Sequence, residues 1–327
     1  MSEAYINQEQ NSHPSQPSQH GREQLKRPPG PWAIAARKFV RNPYAMVSLF
    51  VLLVIIFASF GAPLITPYDP AQIDFSRTNL PPFSEGHLLG TDELGRDIFT
   101  RLLYSGRVSL TVGFSVAIAT VVIGSIIGAI AGYFGGWIDT ILMRIVDVMY
   151  SLPSLFLNIL VLAIFGNEFI YMILILSLTS WMGVARLVRG NFLQLREMQY
   201  VEAAKAIGVS NRSIIFNHLL RNSIYPIIVN ATLMVGSAIL SESALSYLSL
   251  GIQPPQTSWG LMLSNSQEFM LTDPMQAVYP GLCILIVVLA VNFIGDGLQQ
   301  ALNPREKKKV PIRRIIEWRK KYSKSAT

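Results

Sequence analysis

Tyr200 to Asn222, YVEAAKAIGVSNRSIIFNHLLRN, is a polar interruption between two long apolar stretches, and its reading fixes how the rest of the chain is read. The first part has helix-forming composition, with Tyr200, Ala203, Ala204 and Ile207 on one face, and Gly208 follows where a left-handed C-terminal cap is wanted. Ser210 then supplies an N-cap, and Val209 before it is placed to pack on Ile214 as a hydrophobic staple. A second helix follows, in which Ile215, Phe216, Leu219 and Leu220 are apolar and Arg212, Asn217 and Arg221 polar. The stretch is therefore predicted to be a helical hairpin with one apolar side that wants a partner surface.

On either side of this hairpin the composition is that of a membrane protein. Half of the 327 residues are apolar, 14% are charged, and mean hydropathy is positive. The net charge of +7 does not point to nucleic acid, because Lys and Arg sit at the ends of apolar runs and form no stripe interleaved with polar residues. The single cysteine, Cys283, lies within an apolar segment, which excludes an intrachain disulfide and a cysteine metal cluster.

In chain order, residues 1–36 are expected to be a disordered cytosolic tail, rich in Ser, Gln, Asn and Pro, without the apolar core of a signal peptide. A first span within 37–66 centres on the uncharged run from Ala45 to Ile65, long enough to cross about 30 Å of hydrocarbon at about 1.5 Å per residue. Residues 67–107 form a polar loop whose end, Ile98 to Gly106, is expected to lie along the membrane as an interfacial helix with Arg101 on its wet side. The core, 108–304, begins with a span from Val108 to Ile138. In it Gly124, Gly128 and Gly132 recur at the four-residue spacing that lets two helix backbones approach closely, although glycine is common in membrane helices in any case. Asp139, Arg144 and Asp147 are read as a short cytosolic connection, Val148 to Asn167 as the third span, and Phe169 to Ala185 as the fourth.

The fifth span, from Ile224 to Leu250, carries one charge, Glu242. An ionisable residue inside a span is a candidate for lining a translocation pathway. Counting from Ile224 puts it about 27 Å along, near a boundary where a carboxylate reaches water or packs on a partner helix. Gly251 to Pro274 is read as an external loop with a short helix from Leu261 to Phe269 and with Trp259 at the interface. The last span runs from Met275 to Gly295, and 305–327 is a basic tail suited to an anionic inner leaflet. The chain is thus expected to be an all-α integral membrane protein with six transmembrane helices, since uninterrupted apolar runs exclude the ten-residue alternation of a membrane barrel. Basic residues concentrate in the N-terminal tail, in 186–222 and in the C-terminal tail, which makes both termini and the hairpin cytosolic and the 67–107 loop external.

The pattern Glu202-Ala203-Ala204, Gly208, His218 and Asn222 resembles the cytoplasmic loop of permease subunits of ATP-binding-cassette importers, departing from it at Arg221, where proline is usual. The string Leu89 to Asp97, LGTDELGRD, is similar to a signature of the second, C-type permease of the pair in peptide and nickel importers; its members here are Gly90, Thr91, Asp92, Gly95, Arg96 and Asp97. By itself that string reads as a glycine-bounded polar turn; no Lys-Ser or Lys-Thr follows the glycines and no helix N-terminus is apparent there, which argues against a phosphate cradle. Gly135-Gly136, Trp181, Ser246 to Gly251 and Gly295-Asp296-Gly297 extend the likeness from Lys38 to Arg305.

The resemblance implies a binding-protein-dependent importer permease fold whose coupling-helix loop, 186–222, is gripped by an ATPase through Glu202, Ala203, Ala204, Gly208, His218 and Asn222. It implies a second homologous permease subunit, two cytosolic ATP-binding subunits and an extracytoplasmic substrate-binding protein as partners, set in membrane lipid without nucleic acid. The cargo is then oligopeptides or dipeptides, with nickel or a metal chelate as the alternative. The chain has no Gly-x-x-x-x-Gly-Lys-Ser/Thr loop, so ATP is expected on partner subunits and no cofactor on this one. His13, His20, His87 and His218 are scattered and no nucleophile accompanies His218, so the reading is of a transport subunit, not an enzyme. A self-sufficient secondary transporter is the alternative from another class, disfavoured because neither internal repeats nor mid-membrane charges are evident.

Overall fold

The computed structural model describes residues 30–84 and 86–303; the basic tail 305–327 and residues 1–29 of the N-terminal tail lie outside them. The described residues open with α1 (Pro31–Val40), α2 (Pro43–Phe60) and α3 (Ala62–Ile65). The end of the expected disordered tail is therefore helical. Asn42 starts α2 by accepting from the backbone of Tyr44 and Ala45, with Pro43 at the first helical position, where its missing N–H costs nothing.

After a polar cap over 66–97 come α4 (Ile98–Phe134), α5 (Gly136–Ser151), α6 (Ser154–Phe165), α7 (Phe169–Arg196) and α8 (Gln199–Ala206). A single helical rod then runs from Asn211 to Tyr247: α9 (Asn211–Ser213), a π-helical stretch (Ile214–Leu220) and α10 (Arg221–Tyr247). The last helices among the described residues are α11 (Trp259–Asn265) and α12 (Met275–Leu302).

Among the described residues, five helical stretches, α2, α4, α7, the 211–247 rod and α12, are long and apolar enough to cross a membrane, and α5 with α6, bent by 85°, is a candidate sixth. The expected third span is thus broken. Pro153 holds Leu152 in an extended conformation with ψ of 129° and ends the helix there, and the twelve residues of α6 reach only about 18 Å. The expected cytosolic connection at Asp139 to Asp147 is the 16-residue helix α5.

Helix α4 is the axis of the fold. Its 37 residues make a rod of about 55 Å. The expected interfacial helix is simply its first turns, continuous with the span. At Gly124, Gly128 and Gly132 a Cβ would stand 2.6, 2.4 and 2.6 Å from Val184, from the Ala185 carbonyl and from Phe192 of α7. The three glycines therefore form the seam on which α7 lies, as their spacing suggests. One core gathers Leu110, Ile239, Trp259 and Val287 where α4, α10, α11 and α12 meet. A second core, around Tyr133, Val188, Phe192, Val201, Ile214 and Leu219, lies at the other end of α4 and holds the hairpin.

Candidate functional site

The two polar regions singled out in the sequence sit at opposite ends of α4. At its C-terminal end, α8 closes in a complete Schellman cap: Val209 N–H donates to the Ala204 carbonyl and Gly208 N–H to the Lys205 carbonyl, both at 3.0 Å, with Gly208 at φ +79°. Ser210 Oγ accepts from Ser213 N–H at 3.5 Å, and Val209 packs against the cluster containing Ile214. The local grammar of the hairpin is that of its sequence.

Its faces differ from the expectation. Val201 and Ala204 are buried against the protein, whereas Glu202, Ala203 and Gly208 are exposed and Ile207 is 82% exposed. The second helix is not a separate element either, because it runs on into the 211–247 rod through the π-helical stretch. His218 is half-buried with its ring 6.3 Å from that of Tyr200, and Asn222 Nδ2 donates to Tyr200 Oη at 3.3 Å and to the His218 carbonyl at 2.6 Å. Those two residues brace α8 against the rod. Of the six, Glu202, Ala203 and Gly208 form an outward ridge, joined by Ile207, and Asn222 is exposed as well.

Contacts that single residues do not announce hold this ridge to the bundle. Tyr133 Oη donates to Asn211 Oδ1 at 2.6 Å, and Arg196 donates to the Tyr133 carbonyl at 3.2 Å. Arg189 grips Asp139 of α5 through two parallel hydrogen bonds of 2.5 and 2.7 Å, the strong fork geometry of a guanidinium on a carboxylate. Arg186 reaches Asp147 at 2.6 Å. The charge clusters of α5 and α7 were visible in the sequence, but their pairing needs the two helices to be folded side by side.

At the other end of α4, the Gly90 to Asp97 string is a folded plug. Asp92 Oδ1 accepts from the backbone of Leu94 and Arg96, while Asp92 Oδ2 accepts from Arg96 Nε at 2.8 Å and from Arg101. Thr91 Oγ1 accepts from Leu80 N–H at 2.9 Å and donates to the Arg77 carbonyl at 2.5 Å. Gly90 and Gly95 have φ of +80° and +74°, and a Cβ on either would collide with the Leu80 or Asp74 carbonyl, so both positions require glycine. Asp97 is the N-cap of α4, accepting from Thr100 N–H at 2.7 Å, so a helix N-terminus does lie at this string. Arg101 is 4% exposed, not on a wet face.

Glu242 is fully buried, so the expectation that its carboxylate reaches water is corrected. It accepts from Ser246 Oγ at 2.7 Å, from Ser109 Oγ of α4 at 3.2 Å and from Ser243 Oγ at 3.5 Å. Ser109 Oγ in turn accepts from Trp259 N–H at 3.2 Å, tying α4, α10 and α11 into one knot. Trp259 is 1% exposed and donates through Nε1 to the Leu102 carbonyl at 3.0 Å; it is a core residue and no interfacial anchor.

The chain is similar to proteins of known type over most of its length. It is 41% identical over 277 residues to the "Dipeptide transport system permease protein DppC" of Alkalihalophilus pseudofirmus, covering 85% of this chain and 91% of that one. It is 41% identical over 279 residues to the "Glutathione transport system permease protein GsiD" of Pectobacterium atrosepticum, covering 85% and 92%. Its fold is similar to a chain of the inward-facing MetNI methionine ABC transporter, with a TM-score of 0.51 and 17% identity over 62% of this chain and 96% of that chain. Residues 30–82 match the N-terminal TM domain of oligopeptide transport permease C. With residues 124–308 matching the family model, the chain belongs to the binding-protein-dependent transport system inner membrane components, multi-pass permeases.

Proposed function

We propose that this chain is the C-type member of a permease pair that imports short peptides, driven by cytosolic ATPases seated on residues 198–222. The observation that carries the reading is the exposed ridge Glu202, Ala203, Ile207 and Gly208, with α8 packed through buried Val201 and Ala204 into the core shared with α7 and the 211–247 rod. A push on that ridge is transmitted to a rod that runs unbroken to Tyr247. Relatives named for dipeptide and glutathione transport favour a peptide cargo over nickel.

The rod also offers a surface for passage. The exposed face of α10 mixes Ser237 and Ala244 with Leu240 and Tyr247, whereas α2 exposes Val47, Phe50 and Phe57, as a helix does against lipid. The α10 face is assigned to the pathway shared with the second permease, and Glu242, buried behind it, to positioning that face. Both termini and the hairpin are assigned to the cytosol, and the cap to the outside, where a substrate-binding protein delivers cargo. ATP is held by the partner subunits and this chain carries out no catalysis.

Peptide uptake in cells carrying Glu202→Arg or Gly208→Pro tests the reading. Loss of uptake at normal protein level is the expected result; normal uptake at normal protein level overturns the docking role. Growth on peptides as sole amino-acid source, compared with nickel-dependent urease activity, decides the cargo.

A further inference from the structure

The 85° bend between α5 and α6 leaves irregular backbone at membrane depth. Residues Phe169 to Ala185 of α7 carry no charge and cover about 26 Å at about 1.5 Å per residue, close to the hydrocarbon thickness, and Arg186 follows them. The Arg186 guanidinium lies over the Tyr150 ring, 4.3 Å from its centroid, just before the bend. Beyond the bend, Asn158 Oδ1 accepts from the Thr179 hydroxyl at 2.8 Å. Thr179 is seven residues inward of Arg186, so the bend lies within about 10 Å of that charge on its bilayer side.

The backbone there is open. Leu152 and Pro153 are extended, with ψ of 129° and 117°, and residues 150–156 are all exposed. Helix α6 begins without a side-chain cap. The first of its N–H groups to find an acceptor is that of Leu157, on the Pro153 carbonyl at 3.1 Å, which leaves those of Ser154, Leu155 and Phe156 without one among the described residues. Lipid cannot supply such hydrogen bonds, and non-helical backbone at this depth is tolerated where protein buries it or where it borders water.

The exposed side of α5 decides between the two. Thr140, Arg144, Asp147 and Ser151 follow one another at spacings of four, three and four residues, which puts them within about 60° on one helix face, and all four are exposed. Asp147 makes the half-exposed ion pair with Arg186. Trp137, Ile141, Ile145 and Val148 are also exposed and lie on the adjoining face, while Val146 is buried against Trp181, Met182 and Ala185 of α7. The outer surface of α5 is therefore divided lengthwise into an apolar strip fit for lipid and a polar strip that leads to the bend. Charged side chains in a span face water or a protein interior. A dry contact would strip water from Arg144 and from the Asp147–Arg186 pair, which is costly.

We propose that the polar strip of α5 and the bend at 151–154 border a water-filled passage, in which water pairs with the bared backbone. It is a second wet surface of the chain besides the α10 face. That peptides travel along it rests on the importer reading; its wetness does not.

The test uses the full chain with its partner subunits in lipid nanodiscs, with Cys283→Ala and one cysteine introduced at a time. A thiol reacts as the thiolate, which forms in water. Ser151→Cys and Ser154→Cys are expected to react with a charged methanethiosulfonate at least about tenfold faster than Val148→Cys on the apolar strip and Phe50→Cys on α2, whose side chains are exposed as well. Val148 is within one turn of Ser151, so the contrast between those two is not one of depth. Hydrogen exchange of the wild-type complex reads the same surface without substitution: the N–H groups of residues 154–156 are expected to exchange quickly while the middle of α2 stays protected. Slow reaction at all four positions with protected 154–156 overturns the passage. So does a slow thiol at 154 beside a benzophenone side chain at that position that crosslinks to the second permease, which marks a dry contact. Equally fast reaction at all four positions overturns the membrane depth of the bend. Fast reaction beside failed peptide uptake keeps the passage and removes the importer reading, and slow reaction beside normal uptake removes only the passage.

Discussion

Arg101 and Asp92 form an ion pair inside the cap with their side chains 5% and 4% exposed, so the first turns of α4 are bolted to the loop that precedes them. Removing one partner of a buried pair leaves an unpaired charge and typically costs about 3–5 kcal/mol. Asp92→Asn takes from Arg101 the carboxylate it pairs with and is therefore expected to lower the melting temperature of the detergent-purified protein sharply, whereas Arg101→Met leaves Asp92 held by Arg96 and should cost less. Asp92→Asn combined with Arg101→Met should recover part of the loss, because the amide keeps an acceptor for the Leu94 and Arg96 backbone and Arg96 keeps Glu93 at 3.1 Å. A double variant no better than the worse single one would show that the pair is not what seals the cap.

The α4–α7 seam separates two glycines that look alike in sequence. A Cβ at Gly128 meets the Ala185 carbonyl at 2.4 Å, whereas one at Gly190 meets nothing within 4 Å. Gly128→Ala is expected to destabilise by about 1–3 kcal/mol through overpacking. Gly190→Ala is expected to be neutral or to stabilise by up to about 1 kcal/mol through helix propensity. Thermal melts of the two variants side by side check the contrast.

Burial sorts the hairpin positions for crosslinking. Ile207 is 82% exposed and Ala204 7%. With cysteine at each position and Cys283 replaced by alanine, Ile207→Cys should crosslink to a nucleotide-hydrolysing subunit in membranes, and Ala204→Cys should crosslink weakly or not at all. Equal yields would mean that the hairpin opens away from the bundle.

Ser109 is a single hydroxyl between Glu242 and Trp259. Ser109→Ala removes both hydrogen bonds and is expected to cost about 1–3 kcal/mol, since it leaves buried groups underpaired. Limited proteolysis of the loop at 248–258 should quicken in this variant and stay unchanged in Ser237→Ala, whose hydroxyl is exposed.

Asp74 provides a pH readout of the cap. The Ser76 hydrogen bonds hold its folded pKa below the usual carboxylate range, so its contribution is complete above the unfolded value and is lost as pH falls through the folded one. Acidification below about pH 4 should loosen the 74–77 turn in the wild type. In Asp74→Asn that component of the acid limb should be missing, as measured by melting temperature against pH.

Some of this architecture is written in short-range chemistry that the chain carries wherever it goes. Apolar runs too long for anything but membrane helices, the Gly208 cap, the Ser210 start, the Val209 staple and the glycine spacing of α4 each depend on neighbours within a turn or two, and each could be read directly. Hydropathy places a span but not its ends, which is why α4 and the 211–247 rod run past their apolar limits while Pro153 cuts the third segment short. The inward fates of Arg101, Trp259, Glu242 and Ala204 were decided by partners up to 157 residues away, such as Leu102 for Trp259. A charged or aromatic side chain looks the same in sequence whether it faces water or a distant hydrogen-bonding partner, and only the packed tertiary structure supplies the partner that makes burial affordable.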